Sequence, residues 1–380
     1  MKKRYCIFAA QFLPHTGGVE RYTYNLAKKL IERGNEVTVV TSNVGDYADF
    51  EKMDGIRIYR MPAWCFMNGR FPVLKPNRKL RKMHRKIFNV KYDTFIIQTR
   101  FYFHSLYGMF MAKKQRATCI TIDHGTGHML TGNKAADKIG EVYEHLLTKV
   151  ETCFCRQFYG VSGESVKWLK HFGIRARGIM YNSVDFDGIV DLYQNTDIDY
   201  RADYKVPEQA VVVTYTGRLV REKGSLTLIE AVKELKKEFP ELYLFIAGDG
   251  EIQKEVEAAQ NEYIYALGKI DFEHIIALLK GTDIFCLPTE YPEGFPTSTL
   301  EAMACKCFPV VTPRGGARVL IPASEFGCVM ENGSKEVLKR HLKKVLNMKE
   351  ERKTVAENAY DRVKKHFTWD NVADKVESIK

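Results

Sequence analysis

Glu293 and Glu301 are separated by seven residues in the run EGFPTSTLE, one on each side of a turn. The residues just before them, 283–288 (DIFCLP), read as a short buried strand stopped by proline. The residues after Pro296, TSTLEAMAC, are helix formers with Leu300, Met303 and Ala304 on one face. Glu293 is therefore expected in the loop after a strand, and Glu301 two turns into the next helix. A loop carboxylate can accept hydrogen bonds from sugar hydroxyls. One on the helix can chelate a pair of ribose hydroxyls, while amides of the helix start, those of Thr299 and Leu300 included, can meet phosphate oxygens.

Other residues could serve the same kind of ligand. Gly17 and Gly18, after the first strand, would let backbone amides approach a diphosphate closely, although a plain tight turn reads equally well. Arg218 and Lys223 in TGRLVREKG bring two cations into one loop. A departing diphosphate gains negative charge, so preplaced cations stabilise the transition state more than the ground state. Taken alone, that stretch is equally a solvated basic loop. Gly248 in GDG and Ile270 in GKI mark turns after successive strands, and His124 in DHG follows another. A lone histidine is more often structural. No cluster of Asp or Asn resembles a magnesium site, and neither Cys153/Cys155 nor Cys305/Cys307 has the gap of a zinc pair.

Strands and helices alternate around these residues. In the first half, strands are expected at 5–10, 36–41, 56–60, 94–98, 119–122 and 158–161, with helices at 18–33, 135–153 and 163–172. In the second half, strands at 211–216, 242–247, 263–267, 283–287 and 308–312 alternate with helices at 225–239, 251–259, 272–280 and 297–305. Such alternation implies parallel sheets with right-handed crossovers, whose ligands bind beyond the carboxyl ends of the strands. The polar stretch 187–208 lacks periodicity and reads as the break between halves.

The motifs PHTGGVERYTYNLAKKL, TIDHG, YNSVD, TGRLVREKG, AGDGE, ALGKI, EGFPTSTLEAMA, PRGGA and FTWDNVADKV run almost end to end. With them the chain resembles the retaining glycosyltransferases of the GT-B type, family 4 above all. The resemblance implies an α/β fold of two Rossmann-like domains facing a central cleft. Residues 1–186 plus 367–380 would form the acceptor-side domain, 187–208 a linker, and 209–366 the nucleotide-sugar domain, with the C-terminal helix crossing back to the first. It implies transfer of a hexose or N-acetylhexosamine from a nucleotide-diphosphate sugar, a UDP-sugar before a GDP-sugar. The acceptor would be a glycan or lipid-linked sugar in cell-surface polysaccharide or glycolipid synthesis, lipopolysaccharide or capsule included.

The same resemblance assigns roles. Arg218 and Lys223 match the family's diphosphate-binding pair, and His124 matches a histidine that reaches the donor sugar near its anomeric carbon. Glu293 would hold the sugar, Glu301 the ribose and the backbone of Ile270 the nucleobase, with Gly17, Gly18, Gly248, Thr299 and Leu300 completing the donor site. No carboxylate nucleophile stands at the matching place on the first domain. Retention then implies a front-face displacement in which the leaving phosphate helps deprotonate the acceptor. The two cations would replace a metal, so neither metal nor cofactor is expected. The chain departs from the family at Lys306, where relatives commonly have glycine. A lysine there is expected to meet the last helix carbonyls.

The 380 residues, 45% hydrophobic and 28% charged, suit two globular domains. The net charge of +11 is uneven. Residues 1–190 hold 31 Lys+Arg against 16 Asp+Glu, and the remainder holds 27 against 31. A basic first half suggests a partner surface there. In residues 76–88, PNRKLRKMHRKIF, a helix would put Leu80, Met83, His84, Ile87 and Phe88 on one face and six cations on the rest. Such a helix can lie on an anionic membrane with its apolar side partly inserted, or pack on its own sheet with a solvated basic face. Nucleic acid is not expected, since aromatic stacking positions and known modules are missing. No run approaches a membrane span, and the opening YCIFAAQFL is broken at Gln11, so a cytoplasmic protein, soluble or peripheral, is expected. Two readings compete with a transferase: a sugar-nucleotide epimerase or phosphorylase on the same scaffold, and a silent module that senses nucleotide sugar.

Overall fold

Short runs rich in β-branched and aromatic residues, apolar on both faces, form buried parallel strands, and the amphipathic stretches between them form the covering helices. The structure, a computed structural model, describes residues 2–379 except 16, 68, 70, 129–132, 292 and 293, and the side chain of Lys134. The chain divides into two compact units, residues 1–182 with 369–380 and residues 183–368.

The strands of the first unit are β1 (Arg4–Ala9), β2 (Glu36–Asn43), β3 (Phe50–Met53), β4 (Ile56–Phe66) and β5 (Phe71–Leu74), then β6 (Thr94–Gln98), β7 (Thr118–Asp123), β8 (Gln157–Gly160) and β9 (Gly178–Ile179). They form one sheet in the order β3-β4-β2-β1-β6-β7-β8-β9, with β5 paired to β4. Among the described residues, only β3 with β4 and β4 with β5 run antiparallel. These antiparallel additions were not expected from the sequence, because Phe50–Met53 and Phe71–Leu74 are short and half-exposed. Helices α1 (Gly18–Glu32), α2 (Arg78–Phe88), α3 (Phe103–Gln115), α4 (Lys134–Glu151) and α5 (Gly163–His171) connect the strands.

Helix α2 settles the choice left open for its sequence. The Asn77 side chain caps it by accepting from the Leu80 amide, 2.8 Å. Met83 and Ile87 are buried, and Leu80 and Phe88 pack with them on the same core as Phe8, Phe95 and Met109. The apolar face is thus used by the protein's own sheet and is not available for insertion into a bilayer. The six cations Arg78, Lys79, Arg81, Lys82, Arg85 and Lys86 stay exposed.

The second unit opens with α6 (Phe186–Asn195) and α7 (Tyr200–Asp203), where the sequence suggested a linker. Asp185 and Asp199 cap these helices, and Ile189 and Tyr200 bury their faces. Its sheet contains β10 (Val211–Thr216), β11 (Leu242–Ala247), β12 (Ile264–Gly268), β13 (Ile284–Leu287), β14 (Phe308–Val311) and β15 (Cys328–Val329), in the order β12-β11-β10-β13-β14-β15. All these pairings are parallel. The strand order reverses at β10, so the crevice beyond the carboxyl ends of β10 and β13 is the place where a doubly wound sheet binds its ligand. The intervening helices are α8 (Ser225–Leu235), α9 (Gln253–Glu257), α10 (Phe272–Lys280) and α11 (Thr297–Ala304), followed by α12 (Ala317–Leu320), α13 (Lys335–Asn347) and α14 (Lys349–His366).

Helix α11 ends on Lys306, which takes the left-handed conformation at φ 58°. The Cys307 amide donates to the Ala302 carbonyl and the Lys306 amide to that of Met303, the hydrogen bonds of a Schellman ending. Its ammonium does not turn back to the helix carbonyls; it reaches Glu357 of α14 at 2.9 Å. Backbone amides already satisfy those carbonyls, which leaves the side chain for an ion pair.

The last helix, α15 (Trp369–Ser378), belongs to the first unit. Trp369, Val372, Ala373 and Val376 enter the core beside α1, and Arg33 bonds Asp370, Asp374 and Glu377 at 2.6–3.0 Å. Val184 and Thr368 pair as a single parallel bridge near the two points where the chain passes between units. Among the described residues, no helix is long and apolar enough to cross a membrane.

Candidate functional site

The loops at the carboxyl ends of β10, β11 and β13 are knitted to one another by their backbones. The Leu219 amide donates to the Asp249 carbonyl, 2.7 Å, and the Ile252 amide donates to Leu219, 3.2 Å. A Cβ on Gly248 would stand 1.8 Å from the Gly217 carbonyl oxygen, at a φ of 150°, so only glycine fits there. Gly248 is therefore accounted for by the approach of the β10 and β11 loops. The Glu222 carbonyl accepts from the amides of Glu290 and Tyr291, at 2.6 and 3.1 Å, and this ties the β13 loop to the β10 loop.

Arg218 and Lys223 occupy this frame. Arg218 is exposed and its guanidinium lies 5.3 Å from the centroid of the Tyr291 ring, while the Lys223 ammonium lies 5.9 Å from the same ring. Tyr291 thus gathers both cations by its ring face. The two side chains converge where the strand order reverses, as an anionic ligand would need. Arg221, between them in sequence, is exposed and pairs with Glu255 at 2.6 Å. Tyr291 was not singled out from the sequence, because nothing local distinguishes one tyrosine in TEYPEGFP; its role depends on residues of another loop.

Glu290 was also missed. Its carboxylate accepts from Arg314 and from the Gly333 amide, and the Arg314 guanidinium, before the amide, holds its pKa below the ordinary glutamate value. It clamps the loop that leads to Glu293. Glu293 itself lies outside the described residues. Glu301 is the fifth residue of α11, half-buried and one turn in, closer to the helix start than expected. Thr299 and Leu300 are fully buried, and their amides already donate to the Pro296 carbonyl at 3.2 and 3.3 Å, so they are not open to phosphate as the sequence suggested. Ile270 packs its side chain at the edge of a core cluster with Tyr204 and Phe245, leaving its backbone in the loop after β12.

In the first unit, Gly17 precedes α1 in an extended conformation. A Cβ there would stand 2.4 Å from a Glu20 carboxylate oxygen, and one on Gly18 would meet nothing within 4 Å. The carboxylate of Glu20 already lies against this turn, with His15 at 3.4 Å. A side chain at Gly17 would have to displace the Glu20 carboxylate, and Gly18 leaves open space.

His124 follows β7, donating from Nε2 to the Gln98 side-chain oxygen at 2.8 Å, with Tyr22 edge-on at 4.8 Å. That hydrogen bond leaves Nδ1 as an acceptor. Gln98 is fully buried at the end of the apolar run TFIIQ, a polar terminus that could have marked it in the sequence. Burial pulls the His124 pKa from 6.5 down to about 3, so the ring is neutral near pH 7. This depressed value makes its stability contribution whole above pH 6.5 and progressively lost as pH falls toward 3, at up to about 1.4 kcal/mol per pH unit. His124→Gln is expected to flatten the fall in stability between pH 7 and 5, measured by urea unfolding. A slope equal to wild type would show that the folded protein protonates this ring.

Asp123 turns the other way, into a buried group of charges. Arg100, 1% exposed, faces Asp123 at 3.4 Å and Glu144 at 2.8 Å, donates to Thr148 at 3.0 Å and lies over the Phe172 ring at 3.7 Å. Burial raises the Asp123 pKa to about 6, with Arg100 opposing the rise. Arg100 therefore braces β7 and α4.

Comparison with known proteins agrees with these features. The family model described as Glycosyl transferases group 1 matches residues 166–362, and the one described as Glycosyltransferase Family 4 matches residues 16–187. An uncharacterized glycosyltransferase of Methanocaldococcus jannaschii is 27% identical over 97% of this chain and 95% of its own. In Homo sapiens, one of the proteins that make up phosphatidylinositol N-acetylglucosaminyltransferase is 24% identical over 98% of this chain and 75% of its own. The Anabaena protein HepE, solved with UDP and glucose, superposes with a TM-score of 0.70 at 17% identity, over 99% of this chain and 98% of that one.

Proposed function

The chain belongs to the group 1 glycosyltransferases, family 4, and on that premise we propose that it is a retaining enzyme. It moves a hexose or N-acetylhexosamine from a nucleotide-diphosphate sugar, UDP-linked before GDP-linked, to a glycan or lipid-linked acceptor. Glycosyltransferase activity and the GT-B fold of two Rossmann-like domains come with the family. The observation that carries the donor assignment is the pair of cations, Arg218 and Lys223, gathered on Tyr291 at the switch point of the second sheet. HepE binds UDP and glucose on a similar fold, and the human relative's name specifies an N-acetylglucosaminyl transfer to phosphatidylinositol. The first supports a nucleotide-sugar donor here, and the second supports a lipid acceptor.

The chemistry follows from charge. As the bond from the anomeric carbon to the diphosphate breaks, negative charge grows on the leaving oxygens, and Arg218 and Lys223 stabilise it without a catalytic metal. The leaving phosphate accepts the acceptor's hydroxyl proton on the face it vacates, so configuration is retained. The donor sugar is assigned to His124, neutral and oriented by Gln98 with Nδ1 as its acceptor, and to Glu293 for its hydroxyls. Ribose is held by Glu301, the phosphates by amides of Gly17 and Gly18 beside the two cations, and the base by the backbone of Ile270; the amides of Gly248, Thr299 and Leu300 already donate to the Gly268 and Pro296 carbonyls. Incubation with UDP- and GDP-sugars in the presence of lipid and soluble acceptors tests this. Release of nucleoside diphosphate with retention at the anomeric carbon is expected, and its absence with every donor would overturn the reading. Glu301→Ala should weaken donor binding by about 1.5–3 kcal/mol, the worth of hydrogen bonds to a charged acceptor. Nucleotide affinity equal to wild type by calorimetry would remove Glu301 from the ribose.

A lipid acceptor calls for a membrane surface on the cytoplasmic side, and two features of the first unit support that reading. Helix α2 contacts α3 through His84 and Phe88 against Tyr107, and α3 contacts α4 through Phe103 against Tyr143. The outer face of α2 is basic, and beside it a depression of about 250 Å³ is lined by Leu80, Arg81, His84, Arg85 and Tyr107. Helix α4 exposes Ile139, Val142, Leu146 and Val150 at 45–71%, on one helical stripe. The charge on α2 and the apolar stripe on α4 each support contact with a membrane. Glutamine at Arg81, Lys82, Arg85 and Lys86 should release the protein from anionic vesicles, each cation contributing about 1 kcal/mol. Activity on a soluble acceptor should persist. A wild type that ignores anionic vesicles at low salt would make a soluble acceptor the better assignment.

A further inference from the structure

Three imidazoles converge in the first unit. His128 lies in the loop after β7, His145 in the middle of α4 and His171 at the end of α5. One potential ligand nitrogen of each lies within 4.8 Å of those of the other two. We propose that these histidines bind one divalent transition-metal cation of the zinc class, with the remaining coordination positions open to water.

The surroundings are those of a metal site. His128 donates from Nδ1 to Glu144 Oε2 at 2.5 Å, so its Nε2 is the nitrogen left to ligate. A carboxylate behind a ligating histidine fixes the tautomer and raises the basicity of the ligand. Glu144 is itself held, through its other oxygen, by Arg100 at 2.8 Å. The His171 ring stacks on Trp168, with centroids 4.8 Å apart and planes 6° from parallel, and His145 lies 4.6 Å from the Phe172 ring. Among the described residues, neither His145 nor His171 has a hydrogen-bond partner, so their ring nitrogens are open to an incoming ligand. Zinc holds imidazole nitrogen at about 2.0–2.1 Å, so the three nitrogens must draw somewhat closer than they now stand. His145 and His171 are exposed and can make that adjustment by side-chain rotation. Three imidazoles suit zinc, copper or nickel; magnesium and calcium prefer oxygen ligands. Bound metal would tie the loop that begins at His124 to α4 and α5. The proposal stands whether or not the donor reading holds.

The test is calorimetric titration of the full chain, first stripped with chelator, with Zn²⁺ and separately with Mg²⁺. One saturable Zn²⁺ per chain, a raised melting temperature with zinc, and no heat with Mg²⁺ are expected. His145→Ala and His171→Ala should each remove the zinc-dependent rise in melting temperature while leaving the metal-free melting temperature unchanged, since both side chains are exposed. Glu144→Gln should weaken zinc binding by roughly tenfold to a hundredfold while keeping the ligands. Failure to saturate with zinc would overturn the proposal. So would zinc binding that survives the double variant His145→Ala/His171→Ala, which would locate the metal elsewhere, as at Cys328 and His341.

Discussion

Arg218→Ala is expected to lower turnover by about 10²-fold or more, with the fold intact. The side chain is exposed, so its removal leaves no cavity and no buried group unpaired. What it removes is a preorganised charge beside the diphosphate, worth most where negative charge develops on bond breaking; deleting one such donor typically costs about 10²–10³-fold. Lysine at the position should recover only part of the loss, because a compact ammonium lacks the planar fork that binds phosphate and stacks on Tyr291. Tyr291→Leu should cost less than Arg218→Ala, since both cations remain but lose their common support. The measurement is steady-state release of nucleoside diphosphate. A folded Arg218→Ala protein with turnover within a few-fold of wild type would take Arg218 out of the site.

The largest expected loss of stability comes from Arg100→Met. Its guanidinium holds two carboxylates, Asp123 and Glu144, that are themselves buried. Removing one partner of a buried ion group leaves the others uncompensated, at a cost of about 3–5 kcal/mol. The loss should be smaller at pH 5 than at pH 8. The Asp123 pKa is already raised to about 6, and without Arg100 it rises further, so at pH 5 a proton replaces the missing cation. Equal losses at the two pH values, by urea unfolding, would show that Asp123 does not titrate with the network.

Much of the scaffold could be read from local pattern. The runs VVVTYT and LYLFIA are apolar throughout and bounded by turn residues, and they form β10 and β11 with the expected limits. The strand in DIFCLP and the helix in TSTLEAMA were legible for the same reason. The elements that escaped have signals of another kind. Helices α6 and α7 sit in a polar stretch and owe their existence to caps at Asp185 and Asp199 and to a few anchors such as Ile189. Strands β3 and β5 form because β4 lends them an edge, not because their own residues demand it. The apolar face of α2 was visible as a face, but its pattern does not say whether protein or lipid covers it.

The amino-acid sequence by itself determined the alternation of strands and helices, the uneven charge, the family, and the identity of the residues available for chemistry. Periodicity, capping and turn preferences act between residues a few positions apart, so they are written locally. Only the tertiary structure decided which distant residues meet. The order β12-β11-β10-β13-β14-β15 sets the β10 loop beside the β13 loop, and so brings Tyr291 to Arg218 and Lys223. The same kind of decision gathered His128, His145 and His171 from a loop and two helices, and turned Arg100 inward onto Asp123 and Glu144. Burial rewards any apolar face that finds another, and nothing in a single strand names its neighbour. The choice of neighbour is made by the whole chain at once, through the register of its sheets and the volume its side chains must fill.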